Sequence, residues 1–251
     1  MNIFNKLFKK KESEFTPDNS VLLQLIQAYH QKKAIYQKIN DQLIYLLLFS
    51  SIGLNFQIYA QQVETVQIGN QHWTTKNLEV VTFRNGDVIP EAQSDAAWKK
   101  AYLENQPAWC YLYSDASNGE KYGKLYNWFA VTDQRGLAPE GFHIPSKDEW
   151  ASLVEFLGGQ PLAGRKLKCE KGWPNEGNGT NEMGFCGLPG GMRHHSGYFT
   201  PITRYGHWWT TTHLEPFYAW QYYLLSTGDD IGWYSIGFDK GTGLSVRCIR
   251  D

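Results

Sequence analysis

Apolar and polar residues alternate through Val66, Gln67 and Ile68, break at Gly69-Asn70 and resume at His72 and Trp73. This pattern predicts a β-hairpin over residues 63–73 with a two-residue turn. A polar stretch with a turn at Asn85-Gly86-Asp87 follows, and residues 108–113 (AWCYLY) read as a short strand. Leu125, Trp128, Phe129 and Thr132 then recur at helical spacing, predicting a helix over 122–133 that Gly136 stops. A second helix is better specified. Ser146 with Glu149 three residues later forms a capping box, in which each side chain satisfies the other residue's free backbone N–H. Trp150, Leu153, Val154 and Leu157 form its apolar face, and Gly158-Gly159 ends it. Residues 172–206, rich in Gly, Asn and Pro, read as a long ordered loop, and strands over 219–225, 231–238 and 243–250 close the chain. Hairpin, two helices, long loop and terminal meander imply an α+β domain, with helices packed against small antiparallel sheets.

One segment stands apart. Residues 42–63 carry no charge, and their apolar weight lies in residues 43–49 (LIYLLLF). The dense part is short for a membrane span and suits the core of a signal peptide, with Lys32, Lys33 and Lys38 ahead of it and Ile58-Tyr59-Ala60 as a cleavage site. The 41 residues in front exceed an ordinary signal-peptide start. Two readings follow: a start placed too far upstream, or a cytoplasmic tail before an uncleaved anchor at 42–61. Both export residues 62–251 to the cell envelope or beyond. A buried helix of a cytoplasmic protein is the plain alternative.

The charge balance narrows the partners. Residues 61–251 carry 17 Lys and Arg against 21 Asp and Glu, a net of −4, and no basic cluster. Nucleic acid is therefore not expected as a partner. Aromatic residues make up 15% of the chain, a density that favours recognition surfaces as well as cores. All four cysteines (Cys110, Cys169, Cys186 and Cys248) follow the uncharged segment, where disulfides are permitted.

Eight stretches, in order, resemble the Fibrobacter succinogenes major paralogous domain: VQIGNQHWTTKNL (66–78), NGDVIP (85–90), AWCYLY (108–113), YGKLYNWFAV (122–131), RGLAPEGFHIPSKDEW (135–150), GFCGLPGGMR (184–193), WWTTT (208–212) and GLSVRCIRD (243–251). The resemblance implies a fold related to C-type lectin-like domains and to formylglycine-generating, sulfatase-modifying enzymes. It also implies an exported or surface-attached protein of Bacteroidetes-like bacteria, in a family without an established activity. Members often carry a Cys five residues before the motif His, paired with the Cys of the terminal VRC. Here Ala138 stands in that place, so Cys248 lacks the partner the family implies, and Cys169 and Cys186 could bridge across the long loop instead.

Candidate chemistry is sparse. The sulfatase-modifying relatives act through a late cysteine pair, of which only Cys248 is present, and there is no HExxH or GxSxG. Residues 159–166 approach a phosphate-loop spacing, but Arg165 stands where Lys belongs and no hydroxyl follows it, so the stretch reads as a loop before a strand. His194, His195, His207 and His213 match no zinc spacing and read as surface residues of the loop. Glu215-Pro216-Phe217 lacks the third oxygen ligand of calcium-dependent lectins, and no cofactor is expected. Aromatics offer the better route, because sugar rings stack their C–H faces on Trp and Tyr. Tyr198 and Tyr205 in the predicted loop and Trp233 and Tyr234 in the terminal meander are the candidate ligand contacts, at positions that leave them room to be exposed. The expectation is a non-catalytic recognition module that offers its loop region, 172–217, to a glycan or a surface protein. A structural envelope part and a divergent enzyme of the sulfatase-modifying fold are the alternatives.

Overall fold

The computed structural model describes residues 63–200 and 204–251 and, separately, residues 24, 26–35 and 37, which are helical. Met1–Gln62 and Val63–Asp251 form two separate compact units. The uncharged segment 42–61 lies outside the described residues, and among those described no helix is long and apolar enough to cross a membrane.

Val63–Asp251 is a mixed α and β unit built on small antiparallel sheets. The predicted hairpin forms as β1 (Thr65–Ile68) and β2 (Gln71–Thr74), and Gly69 takes a φ of 60° in the turn. The last strand of the chain, β10 (Ile249–Arg250), lies between β2 and β5 (Phe142–His143), so both ends of the unit share one four-stranded sheet. A two-stranded sheet pairs β3 (Trp109–Cys110) with β4 (Leu125–Tyr126). The third sheet pairs β6 (Tyr205–Glu215) with β7 (Tyr218–Leu225), and β7 also pairs with β8 (Ile231–Gly232) and β9 (Phe238–Asp239).

Strand alternation explains how β6 organises two cores. Successive side chains point to opposite faces. Trp208 accordingly packs with Trp73, Trp150, Phe185 and Tyr222, whereas Trp209 packs with Phe83, Tyr126, Leu244 and Val246. The Trp150 ring stacks on Tyr222 at 5.2 Å and meets Trp73 edge-on at 4.8 Å, contacts worth about 0.5–1.5 kcal/mol each beyond area burial.

Among the helices, α4 (Lys147–Phe156) has the expected capping box: Glu149 N–H donates to Ser146 Oγ, and the Ser146 backbone N–H donates back to the Glu149 carboxylate at 2.7 Å. Elsewhere the sequence expectations need correction. No helix spans 122–133. Gly123, at the end of the one-turn helix α2 (Gly119–Tyr122), has a φ of 70° and packs against Asn77, Leu125-Tyr126 is drawn into pairing with Trp109-Cys110, and Asn127 caps a new one-turn helix, α3 (Trp128–Val131). Pairing across the fold outweighs local propensity there. Asp95–Leu103 is a helix, α1, in a stretch expected to be irregular. Ser94 caps it, but only Trp98 is buried, so no apolar stripe announces it. Gln160–Leu167, read as a loop, is another helix, α5, with Pro161 in its first turn.

The long loop is also shorter than expected, because residues 205–215 form the longest strand of the protein. Tyr205 is thus a strand residue, and His207 is buried in the sheet. The expected strand over 231–238 is broken in two, and Gly243, Leu244 and Ser245 each bridge to a different segment (Arg193, Tyr126 and Trp208) instead of one neighbour. Cys169 and Cys186 are joined as a disulfide, whereas Cys110 and Cys248 are free and buried.

Two buried arginines tie these parts together without a buried carboxylate. Arg193 is fully buried and reaches the carbonyls of Ala92, Gln93 and Gly197, and its outer nitrogen meets the exposed Asp95 at 3.1 Å. Arg247 donates to the carbonyls of Thr74, Phe185 and Cys186 and to Asn77 Oδ1. Buried carbonyls would be costly unpaired, so one fork-shaped cation holds several loop segments at once.

Candidate functional site

The exposed aromatics gather on the sheet of β6 and β7, and the interruption between β8 and β9 is what projects them. Tyr223 pairs with Gly232 and Ala219 with Phe238, so the three residues of β7 in between face five residues, 233–237. Two extra residues make a wide bulge, a device that re-aims side chains at sheet edges. Gly237, at a φ of 69°, turns the chain back against Ala219.

Two of the candidate residues, consecutive in the chain, lie on opposite faces. Tyr234 stacks on Tyr223 at 4.9 Å, whereas Trp233 contacts Tyr222 at 5.8 Å, and Tyr222 and Tyr223 point to opposite faces of β7. Tyr234 also stacks on Phe238 at 5.1 Å and is therefore the middle ring of three. Tyr205 stacks on the buried His207 at 5.3 Å and meets Tyr223 edge-on. Burial, and secondarily Tyr205 and Tyr223, raise the Tyr234 phenol above its usual 10, so its hydroxyl remains a neutral donor. Burial pushes His207 down to about 4 against its hydrogen bond to Gln221, so it is an uncharged ring of the stack. Trp233 remains 40% exposed, and its ring contact is a tilted one.

The fourth candidate belongs to a different arrangement. In the tight turn 194–198, His194 N–H donates to the Tyr198 carbonyl and Gly197 N–H to that of His194. The turn lays the Tyr198 ring flat on His194 at 4.5 Å, with 54% of Tyr198 still exposed. His194 lies 3.9 Å from the His195 ring; burial, then His195, lower its pKa, and Ser196 Oγ donates to its Nδ1. His195 in turn lies 4.9 Å from the Tyr102 ring, and its Nδ1 is 3.6 Å from Asp239 Oδ2.

Asp239 is the polar centre of this group. Its Oδ2 accepts from the Tyr102 hydroxyl at 3.0 Å and its Oδ1 from the Gly241 N–H at 2.8 Å. Tyr218, 40% exposed, stands directly opposite it in the pairing of β7 with β9. The only sequence hint was its position in the turn after an aromatic strand. Of the candidates, the structure brings Tyr205 and Tyr234 together, sets Trp233 on the other face of the sheet and puts Tyr198 beside the Asp239 group.

Other reactive groups are quiet. Burial pushes the thiols of Cys110 and Cys248 up to about 12, so neither is a thiolate at neutral pH. Among the described residues, no three His, Cys, Asp or Glu side chains stand close enough to hold a metal ion; His213 is exposed on β6, apart from the buried His207.

Residues 66–250 match the Fibrobacter succinogenes major domain. No curated protein and no solved structure matches the chain significantly.

Proposed function

Because the chain belongs to the Fibrobacter succinogenes major domain family, whose name carries no chemistry, we propose a function from the surface itself: a non-catalytic recognition module that binds a glycan. The observation that carries this reading is Tyr198. Its ring lies flat on His194, supported from below, with more than half its surface open to solvent. A flat, backed aromatic ring is the platform on which a pyranose stacks its C–H face, and Tyr218 and the Asp239 carboxylate beside the same turn supply a second ring and hydrogen-bond acceptors. Trp233, on the other face, is a second platform. We further read the fold as C-type lectin-like. In support, both chain ends share one sheet while the recognition residues sit on long excursions from it. Export is part of the proposal, supported by the uncharged segment at 42–61 and by the joined Cys169 and Cys186.

Screening the chain against an array of glycans and surface proteins tests the reading. Tyr198→Ala is expected to abolish binding with thermal stability unchanged, because an exposed ring contributes little to folding. Retained binding in that variant would remove Tyr198 from the site. A second reading is favoured by the exposed Phe217 and Ile236, 67% and 73% open near the β6–β7 tip: a structural envelope part that buries this end against a protein neighbour. Capture of a protein and no glycan by the array, sensitive to Phe217→Ser, would select it.

A further inference from the structure

We infer that the turn at 194–198 is an acid-sensitive catch: a proton arriving on His194 Nδ1 opens it, and the Tyr198 platform loses its backing. The consequence for a ligand rests on the glycan reading above; the opening of the turn does not.

His194 Nδ1 is the acceptor on which the turn closes. The Ser196 backbone N–H donates to it at 3.2 Å and the Ser196 hydroxyl at 2.8 Å. A backbone N–H only donates, so Nδ1 must present a lone pair, and the closed turn holds the neutral ring with its proton on Nε2. Protonation puts a second N–H where the lone pair was. The hydroxyl can rotate and accept from it, but the Ser196 N–H is left facing a donor. The same residue carries the other contacts of the turn. Its backbone N–H donates to the Tyr198 carbonyl, its carbonyl accepts from Gly197, and its ring supports that of Tyr198 at 4.5 Å.

The surroundings oppose that proton. Burial, then the His195 ring at 3.9 Å, hold His194 below 6.5. Asp239, on β9, acts in the opposite sense, but its carboxylate already accepts from the Tyr102 hydroxyl and the Gly241 N–H and faces His195 at 3.6 Å. The buried Arg193 places a permanent cation in the same turn: its Nε donates to the Gly197 carbonyl, and its one carboxylate partner is Asp95 of α1. On the neighbouring elements stand Tyr102 of α1, whose phenol burial raises above 10, and Tyr218 of β7, opposite Asp239. The sign follows. The closed turn is fully favoured above pH 6.5, loses ground as pH falls below that value, and the loss is complete once pH passes the lowered value of His194 in the closed turn.

NMR of the full chain, from about pH 8 to about pH 4.5, tests this. The His194 imidazole protons report its titration, the Ser196 and Gly197 amides the turn, and the Tyr198 ring protons the platform. All are expected to change with one shared midpoint below 6.5, while amides of β3 and β4 stay constant. Protection of the Gly197 amide from exchange is expected to fall about tenfold for each unit by which the closed turn lowers the His194 value. His195→Gln removes the neighbouring imidazole and is expected to raise the midpoint. His194→Asn supplies an oxygen that accepts from the Ser196 N–H and does not titrate, and is expected to leave the turn amides constant across the range. A Ser196 amide unmoved while His194 titrates, an unchanged midpoint in His195→Gln, or turn amides that still respond to pH in His194→Asn overturns the inference. Release of an arrayed glycan with the same midpoint would support it further. Absence of glycan binding at every pH, with the turn opening as expected, removes the glycan reading alone.

Discussion

His143 lies 2.6 Å from Asp251 through its Nδ1, and its other nitrogen lies 2.8 Å from Glu149 Oε1. One imidazolium thus joins the last residue of the chain to the capping box of α4. Burial alone would lower the pKa of His143, but the hydrogen bonds it donates to Asp251 and Glu149 outweigh it and raise the value above 6.5. Burial likewise opposes, and the bonds to Ser146 and His143 prevail, so Glu149 is held below 4.5.

These directions fix the sign of a pH effect. The His143 contribution is fully present below pH 6.5 and fades as pH rises through the raised folded value. That of Glu149 is present above pH 4.5 and is lost as pH falls through its lowered value. The clasp is therefore strongest between those two values. All three side chains are more than a third exposed, so screening limits it to about 1 kcal/mol. Thermal melts of His143→Gln against the wild type should differ most near pH 5.5 and converge toward pH 8.5; a constant difference across that range would refute the charge argument.

Arg247 makes a sharper prediction. Burial lowers its pKa to about 9, yet four acceptors hold its nitrogens. Arg247→Leu takes this donor from the buried carbonyls of Thr74 and Phe185, while Asn77 Oδ1 keeps Trp208 Nε1, and is expected to cost about 3 kcal/mol or more. Urea unfolding measures this, and a loss under about 1 kcal/mol would show that water replaces the guanidinium.

The Cys169–Cys186 bridge spans a separation of 17 residues, a loop length for which closure is worth about 3 kcal/mol. Cys169→Ser with Cys186→Ser should lower the denaturation midpoint accordingly. Mass spectrometry of the unreduced chain should find only two free thiols, Cys110 and Cys248. Four alkylated cysteines without reductant would contradict the bridge.

Gly164 in α5 packs against the backbone carbonyls of Asp229 and Asp230, closer than any Cβ can approach. Gly164→Ala is expected to displace the turn before β8 and to destabilise the protein by about 1–3 kcal/mol. Tryptophan fluorescence should shift too, since Trp233 follows that strand directly. An Ala variant of wild-type stability would show that the turn yields freely.

Some of this protein was legible in its sequence because the signals were local. A two-residue turn between alternating strands and a Ser with a Glu three residues on both act within a few bonds, so Gly69-Asn70 and Ser146 with Glu149 specify their elements wherever the chain folds. The ordered motifs specified the family for the same reason: they are read one residue at a time.

What only the tertiary structure decided depends on partners distant in sequence. Leu125 and Trp128 keep a helical spacing, but Leu125 is claimed by a strand, and Gly123 and Asn127 cut the helix short. Trp233 and Tyr234 are neighbours in the chain, and only the fold sets the partners they meet, Tyr222 for one and Tyr223 for the other. Tyr234 looked like an open platform until Tyr223 and Phe238 stacked against it. Asp239 draws Tyr102 and His195 from segments more than 40 residues away. Exposure, stacking and charge pairing are properties of what surrounds a side chain, and here those surroundings are assembled by long-range pairing that no local pattern encodes.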